Sequence, residues 1–238
     1  DRSVSVRTMC DCAAMARQSI KKNALESIAF YNKNMQKAIK ERKFVESHMK
    51  KALDNNEFII YLQPKFSISS GEAIGYEALV RWQSPERGMI YPDGFIPLFE
   101  ENGFITKLDA YVWECACMVL RDWIDRHFTP LPISVNVSRA NLDDESFLNV
   151  LDGLIEKYRL PKHLLELEIT ESIENDTTLR MTEKIKEHGF VLLMDDFGSG
   201  YSSLNTLQDT RFDVLKLDRE FFSTHMSNDR GKKIIMRT

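Results

Sequence analysis

The fold of this chain is decided by the stretch Phe190-Val-Leu-Leu-Met-Asp-Asp-Phe197, in which a short apolar run ends in two adjacent aspartates. A run of this length between polar residues is typical of a buried parallel strand. Four other runs have the same form, being short and apolar with acids, amides or a lysine at or near their ends. They span residues 75–82, 133–138, 164–171 and 212–218.

The spacing of these runs predicts a parallel sheet or a (β/α) barrel. Between the last four runs the chain is long enough for a helix, and a strand followed by a crossover helix is the repeating unit of such folds. Catalytic groups in these barrels come from the carboxyl ends of several strands. The side chains expected to converge on one rim are therefore Glu77, Asn136, Glu168, Asp195, Asp196, Lys216 and Asp218.

The ordered set of motifs resembles the EAL domain of cyclic di-GMP phosphodiesterases over roughly residues 50–238. The set consists of Tyr61-Leu-Gln-Pro64, Glu77-Ala-Leu-Val-Arg-Trp82, Asn136, Glu168-Ile-Thr-Glu171, Asp195-Asp-Phe-Gly-Ser-Gly-Tyr-Ser-Ser-Leu204 and Lys216-Leu-Asp218. Its specificity rests on the order, because Glu-Ala-Leu alone is a common tripeptide. The resemblance implies an α/β fold: a TIM-like (β/α) barrel of the EAL type with an N-terminal helical linker.

The resemblance also implies a role for each motif residue. It places two divalent cations, Mg²⁺ or Mn²⁺, in the site and makes Glu77 and Lys216 catalytic, the lysine holding the nucleophilic water. The metal ligands are Glu77, Asn136, Glu168, Asp195 and Asp196, the substrate-binding residues are Gln63, Leu79, Arg81 and Asp218, and Glu171 stabilises the loop after Asp196. Hard oxygen donors of this kind are what Mg²⁺ and Mn²⁺ select.

Three of these assignments have structural alternatives. Lys216 could form an ion pair with Asp213 or Asp218, Arg81 could form a surface salt bridge, and the adjacent aspartates could lie in a solvated turn. We favour the functional interpretation of each. A lysine inside a strand needs a charged partner, and the planar fork of an arginine suits phosphate. Charged residues that close an apolar run are rarely buried without a partner.

Charge is distributed unevenly along the chain. The formal net charge is −4, but residues 1–56 hold 12 Lys/Arg against 6 Asp/Glu, so the remainder is strongly acidic. The stretches Cys12-Ala-Ala-Met-Ala-Arg-Gln-Ser-Ile20 and Phe30-Tyr-Asn-Lys33 resemble the closing helix and tail of a GGDEF domain. This short resemblance implies that residues 1–29 are a C-terminal remnant of such a domain. Residues 30–55 are predicted to form a linker helix, and residues 56–238 are the part that resembles the EAL domain. An acidic domain can bind an anionic substrate only where bound cations reverse its negative electrostatic potential.

Four cysteines, spaced as two Cys-x-Cys pairs, are too tightly spaced for the usual zinc knuckle and are interpreted as reduced thiols. No apolar run of bilayer length or signal-peptide pattern is present. We therefore expect a cytoplasmic domain whose parent protein could carry an upstream inner-membrane anchor. The expected partners are cyclic di-GMP, a second copy of the domain, and an upstream GGDEF or sensory domain, with no DNA.

Metal-dependent hydrolysis of cyclic di-GMP to linear pGpG is the function predicted by the resemblance. A catalytically inactive receptor for the same nucleotide is the alternative, and a scaffold that binds no nucleotide is disfavoured by the intact acids, Gln63 and Arg81. In the family the chain continues through two further strands that carry another metal-binding glutamate. Since the sequence ends at Thr238, we expect the barrel to be incomplete at its C-terminal end.

Overall fold

The helices and strands follow the predicted alternation. A computed structural model describes residues 6–20, 28, 30–170, 176–197 and 211–218. Its α-helices are α1 Val6–Ile20, α2 Lys33–Asp54, α3 Ile96–Asn102, α4 Ile105–Asp125, α5 Arg139–Leu142, α6 Ser146–Tyr158 and α7 Asp176–Glu187, with short 3₁₀ turns at Pro92–Gly94 and Lys162–Leu164. Its strands are β1 Phe58–Phe66, β2 Ala73–Ser84, β3 Gly88–Ile90, β4 Ile133–Asn136, β5 Leu165–Thr170, β6 Val191–Phe197 and β7 Val214–Leu217.

The strands form one mixed sheet in the order β1-β2-β4-β5-β6-β7, with β3 paired to the end of β2. The pairs β2·β4, β4·β5, β5·β6 and β6·β7 are parallel, whereas β1 and β3 run antiparallel to β2. The parallel part has the βα succession of a TIM-like barrel, as the sequence predicts. Its carboxyl ends share one edge of the sheet, and this edge carries the candidate site.

Strands β4 and β5 are almost continuously buried. Apolar side chains such as Val135 of β4, Leu167 of β5 and Leu192 of β6 are fully buried. Helix α4 lies against this layer, with Trp113 and Leu120 among its buried residues. Buried runs of this kind are typical of parallel strands with both faces covered.

The predicted end of β1 is wrong by two residues. In the sequence, the run that begins at Phe58 predicts a strand ending at Pro64, because proline cannot donate to a ladder, but β1 continues to Phe66. The reason is its position: β1 lies at the edge of the sheet, where a proline that cannot donate to a ladder is tolerated.

Helix α2 is packed onto the face of the β1–β2 hairpin that carries Trp82, rather than extending freely from the hairpin. Phe44 and Val45 of α2 are buried in the common core. The Phe44 ring stacks on Trp82 with ring centroids 5.8 Å apart, and the Arg87 guanidinium carbon lies 3.8 Å from the centre of the same ring. Trp82 is fully buried and its Nε1 donates to Glu57 at 3.0 Å. The helix is therefore anchored on the strand that carries Glu77 and Arg81.

Among the described helices, none combines the length and the apolar composition that crossing a bilayer requires.

We expect Phe44→Ala to destabilise the protein by about 3 kcal/mol, because it removes a buried aromatic ring from the contact with Trp82. Urea unfolding followed by tryptophan fluorescence measures the loss. Lys50→Ala, at an exposed position of the same helix, is the matched control and should change stability by less than about 0.5 kcal/mol. Equal effects of the two substitutions would show that α2 is not anchored through Phe44.

Candidate active site

Strand register brings the predicted ligands to one edge of the sheet. Asn136 at the end of β4 is paired with Glu168 in β5, and Thr170 near the end of β5 is paired with Asp195 in β6. Glu77 in β2 is paired with Ser134, two residues before Asn136. The carboxyl ends of parallel neighbouring strands lie at the same edge of the sheet. Side chains that are far apart in sequence are therefore brought together at this edge.

A bulge in β6 directs the two aspartates differently. The β6–β7 register shifts between Met194 and Phe197, so that two residues of β6 lie opposite Lys216 alone. Asp196 has a left-handed φ of 57°, and its backbone N–H donates to Oδ1 of Asp195 at 3.0 Å. Asp195 is consequently half-buried among the other acids, whereas Asp196 is exposed. Bulges next to active sites commonly re-aim a side chain in this way.

Lys216 is the centre of the acidic cluster. Its Nζ lies 2.7 Å from Oε2 of Glu168, 3.0 Å from Oε2 of Glu77 and 3.1 Å from Oδ1 of Asp195. The alternative partner Asp213 is engaged elsewhere, because its Oδ2 accepts hydrogen bonds from Lys186 and from the backbone N–H of Leu192. One ammonium thus joins side chains from β2, β5 and β6 to β7.

The electrostatics of the cluster follow from burial and crowding. Burial, together with the nearby carboxylate of Glu168, raises the pKa of Glu77, and the contact with Lys216 only partly counteracts this. Burial by itself would lower the pKa of Lys216, but its contacts with Glu168 and Glu77 outweigh burial and raise that pKa above the usual value. Lys216 is therefore held in its charged form.

The cluster fits a divalent cation. One carboxylate oxygen from each of Glu77, Glu168 and Asp195 can be chosen so that all three lie within 4.8 Å of one another. Glu168 is 0% exposed, and its Oε1 has no hydrogen-bond partner in the described part of the chain. A buried oxygen without a partner is costly, and coordination would satisfy it. The single ammonium of Lys216 also leaves most of the carboxylate charge uncompensated.

Asn136 and Asp196 lie at the margin of this cluster. Asn136 ends β4 beside Glu168 with an exposed side chain, and its backbone carbonyl accepts from Trp113 Nε1 at 3.0 Å. Asp196 is outside the group formed by the other three acids. Both face the same edge of the sheet, where their oxygens are accessible from solvent.

The predicted substrate residues extend away from the acids along the β1–β2 hairpin. Gln63 lies directly opposite Glu77 in β1. Leu79 and Arg81 follow Glu77 at two and four residues in β2 and thus share its face. Arg81 Nη1 donates to the carbonyl of Val80 at 2.8 Å, and Arg81 has no ion pair among the residues that the structure describes, so the salt-bridge alternative is not observed.

Two further predicted residues lie around β7. Asp218 is half-buried after the end of β7, and its backbone N–H donates to the carbonyl of Phe197 at 3.0 Å. Glu171 lies outside the described residues, as does most of the loop after Asp196 that it was predicted to stabilise. The loop assignment therefore stays a prediction.

The sequence analysis missed Asp109, a buried acid next to the site. This residue of α4 accepts hydrogen bonds at Oδ2 from the backbone N–H of Ser138 at 2.9 Å and from Asn141 Nδ2 at 2.7 Å. It thereby fixes the turn that follows Asn136. Burial raises the pKa of Asp109 to about 6, although these hydrogen bonds oppose the rise. The signal in the sequence was an acid inside the apolar run of a helix.

Comparison with known proteins identifies the same part of the chain. The family model described as EAL domain matches residues 46–238. The cyclic di-GMP phosphodiesterase NbdA of Pseudomonas aeruginosa is 32% identical over 225 residues, which are 93% of this chain and 29% of the relative. The cyclic di-GMP phosphodiesterase PdeR of Escherichia coli is 34% identical over 212 residues, which are 88% of this chain and 32% of the relative.

A solved structure described as the PaMucR phosphodiesterase in complex with c-di-GMP has a similar fold. The TM-score is 0.73 at 30% identity, and the match covers 80% of this chain and 78% of that one. The chain spans about a third or less of the length of NbdA and PdeR. The similarity to NbdA and PdeR is therefore confined to one part of each of those proteins.

We expect Lys216→Met to lower the free energy of unfolding by ~3 kcal/mol in EDTA, because it leaves Glu168 buried without its partner. Added Mg²⁺ should recover part of the loss, since a cation that binds the folded state stabilises it by mass action. Urea unfolding with and without Mg²⁺ measures both effects.

The control is Lys157→Met, which breaks the surface ion pair with Glu114 and should cost at most about 1 kcal/mol. If Lys216→Met costs no more than this control, the ammonium is not holding the acids together.

Asp109 predicts a pH dependence of stability. Its carboxyl group is neutral in both states below the unfolded pKa, and ionises in the unfolded chain first because the folded pKa is the higher one. Its contribution to stability is therefore present at about pH 4 and is lost as the pH rises through 6. The loss is on the order of 3 kcal/mol.

Asp109→Asn should remove this dependence, so that urea unfolding profiles of the variant and the wild type diverge between pH 4 and pH 6.5. Asp122→Asn, at an exposed position of the same helix, controls for the change of charge. Parallel profiles of stability against pH for the wild type and Asp109→Asn would mean that folding does not raise the pKa of Asp109.

Proposed function

Because the chain belongs to the EAL domain family, we propose that it hydrolyses one phosphodiester bond of cyclic di-GMP to give linear pGpG. The observation that carries the proposal is the cluster of Glu77, Glu168 and Asp195 around Lys216, with one buried carboxylate oxygen left without a partner. The matched relatives named cyclic di-GMP phosphodiesterases supply the substrate.

The carboxylate-rich edge of the sheet would hold two divalent cations, Mg²⁺ or Mn²⁺. Glu77, Asn136, Glu168 and Asp195 would bind one, and Asp195 with Asp196 the other. When bound, such ions supply Lewis acidity and make water a stronger nucleophile at neutral pH. The bulge in β6 supports this division, because it presents the adjacent aspartates to different parts of the site.

The role of Lys216 is to orient the attacking water and to stabilise its negative charge. Its raised pKa keeps the ammonium protonated at neutral pH, so Nζ donates hydrogen bonds and does not accept the proton of the water. An ammonium already fixed by three carboxylates stabilises developing charge without reorganising at the moment of reaction. Glu77, whose pKa is raised, lies next to Lys216 and would act as the proton acceptor.

The β1–β2 hairpin would bind the remainder of the dinucleotide. Arg81 lies four residues beyond Glu77 on the same face of β2, which is about 13 Å along the strand. Its guanidinium, without an ion-pair partner in the described residues, is suited to a phosphate oxygen. Gln63, Leu79 and Asp218 would complete the contacts to the nucleotide.

The other partners in the proposal follow from the family resemblance. We expect homodimerisation through the EAL domain and a GGDEF or sensory module upstream, and we keep the three-part division of the chain at residues 1–29, 30–55 and 56–238. The four free cysteines are consistent with a reducing, cytoplasmic compartment.

We expect Glu77→Gln to reduce pGpG formation by at least about 100-fold, because it removes both a ligand charge and a proton acceptor from the site. Chromatographic separation of cyclic di-GMP and pGpG after incubation with Mg²⁺ measures this, and EDTA should abolish the wild-type reaction. Glu72→Gln, an exposed glutamate in the same hairpin, should leave turnover unchanged.

The assay also separates the proposed enzyme from a receptor. A wild-type protein that binds cyclic di-GMP in equilibrium dialysis but forms no pGpG with Mg²⁺ or Mn²⁺ would make the chain a receptor. If Glu77→Gln instead retains wild-type turnover, the metal-site assignment is wrong.

A further inference from the structure

Two exposed tyrosines flank Arg81. Tyr61 of β1 is 51% exposed and Tyr91, directly after β3, is 64% exposed. The Arg81 guanidinium carbon lies 5.8 Å from the ring centre of Tyr61 and 5.6 Å from that of Tyr91. Neither tyrosine hydroxyl has a hydrogen-bond partner within the described part of the chain. The arginine is therefore bracketed by two aromatic rings that remain largely open to solvent.

The position of these rings relative to the acidic cluster is set by strand register. Tyr61 lies opposite Leu79, which is halfway between Glu77 and Arg81 in β2. Side chains at alternate positions of a strand share a face, so Tyr61 and Arg81 lie on the face that also carries Glu77. The opposite face of the hairpin holds Trp82 and Phe58, which are buried in the core.

Stabilising Arg81 does not require two exposed rings. Arg81 already donates to the carbonyl of Val80, and one exposed cation–π contact contributes only about 0.5–1 kcal/mol. Exposed aromatic side chains that lie together, rather than singly, commonly mark a binding surface. Their arrangement around a guanidinium is typical of sites that bind nucleotides, where rings stack on bases and arginine contacts the backbone.

We propose that Tyr61, Arg81 and Tyr91 form a subsite for one purine base of the dinucleotide and the phosphate attached to it. This inference rests on the proposed function and adds the two tyrosines to it as specificity residues. A base stacks on the exposed rings while the Arg81 fork donates to the phosphate. The other phosphodiester is then placed at the acidic cluster, toward Glu77, four residues away on the same face of β2.

The stacking contribution is measured by replacing each ring with an aliphatic side chain that cannot stack. Tyr61→Leu and Tyr91→Leu should each raise the KM for cyclic di-GMP about tenfold or more and leave kcat within about twofold, because stacking is worth ~1–3 kcal/mol per base. Tyr61→Phe and Tyr91→Phe keep the rings and should retain wild-type KM. Among the residues that the structure describes, neither hydroxyl has a hydrogen bond that these controls would lose.

A second measurement reports the base itself. A cyclic dinucleotide that carries 2-aminopurine in place of one guanine is titrated with the full chain in EDTA, where no hydrolysis is expected. Stacking quenches 2-aminopurine, so the emission at saturation should be low with the wild type and both Phe variants and higher with the Leu variants. If the Leu variants weaken binding but leave the saturated emission unchanged, the rings only position Arg81, and the base subsite is overturned.

The outcomes keep this inference separate from the proposed activity. Wild-type protein that quenches the probe but never forms pGpG would refute the hydrolase and retain the subsite. Wild-type protein that forms pGpG while the Leu variants show unchanged KM and emission would refute the subsite and retain the hydrolase. Absence of both quenching and pGpG would refute both.

Discussion

The candidate site depends on one interaction, the ammonium of Lys216 held between Glu168, Glu77 and Asp195 at 2.7–3.1 Å. Each carboxylate comes from a different strand, and the three residues are far apart in the sequence. Without the ammonium, like charges at this separation would repel strongly in a buried setting. The parallel register of β4 to β7 brings the strand ends together, and the lysine makes their convergence energetically acceptable.

The two faces of the β1–β2 hairpin connect this site to the rest of the molecule. One face carries Trp82 and Phe58, which pack against Phe44 of α2 and against α3 and fix the hairpin in the core. The other face carries Glu77, Leu79 and Arg81. Neighbouring residues of a strand point to opposite faces, and Arg81 directly precedes Trp82. The packing of α2 on Trp82 therefore helps to fix the position of Arg81 on the other face. A displacement of α2 would therefore reach the face that carries Arg81 through one peptide unit.

The sequence was sufficient for features that depend on local pattern. Short apolar runs with terminal acids predicted the strands and their convergence, and the βα succession predicted the TIM-like arrangement. Features that depend on contacts through space were not predictable. The continuation of β1 past Pro64 required knowing that β1 is an edge strand. The separation of Asp195 from Asp196 required the bulge opposite Lys216, and Asp109 gained its role only from the turn after β4. The proximity of Tyr91 to Arg81 depends on how β3 returns along β2.

The acidity of the site and the negative charge of the proposed substrate can be reconciled by the order of charges along the hairpin. At one end, three carboxylates face a single ammonium, so a dication is needed before an anionic phosphodiester can approach. At the other end, Arg81 presents a positive charge that needs no metal, and the described residues give it no competing carboxylate. In the proposed function, the nucleotide would thus be captured at the arginine end first. Its reactive phosphodiester would enter the acidic end only when cations are bound there, so that binding would be independent of metal whereas turnover would require it.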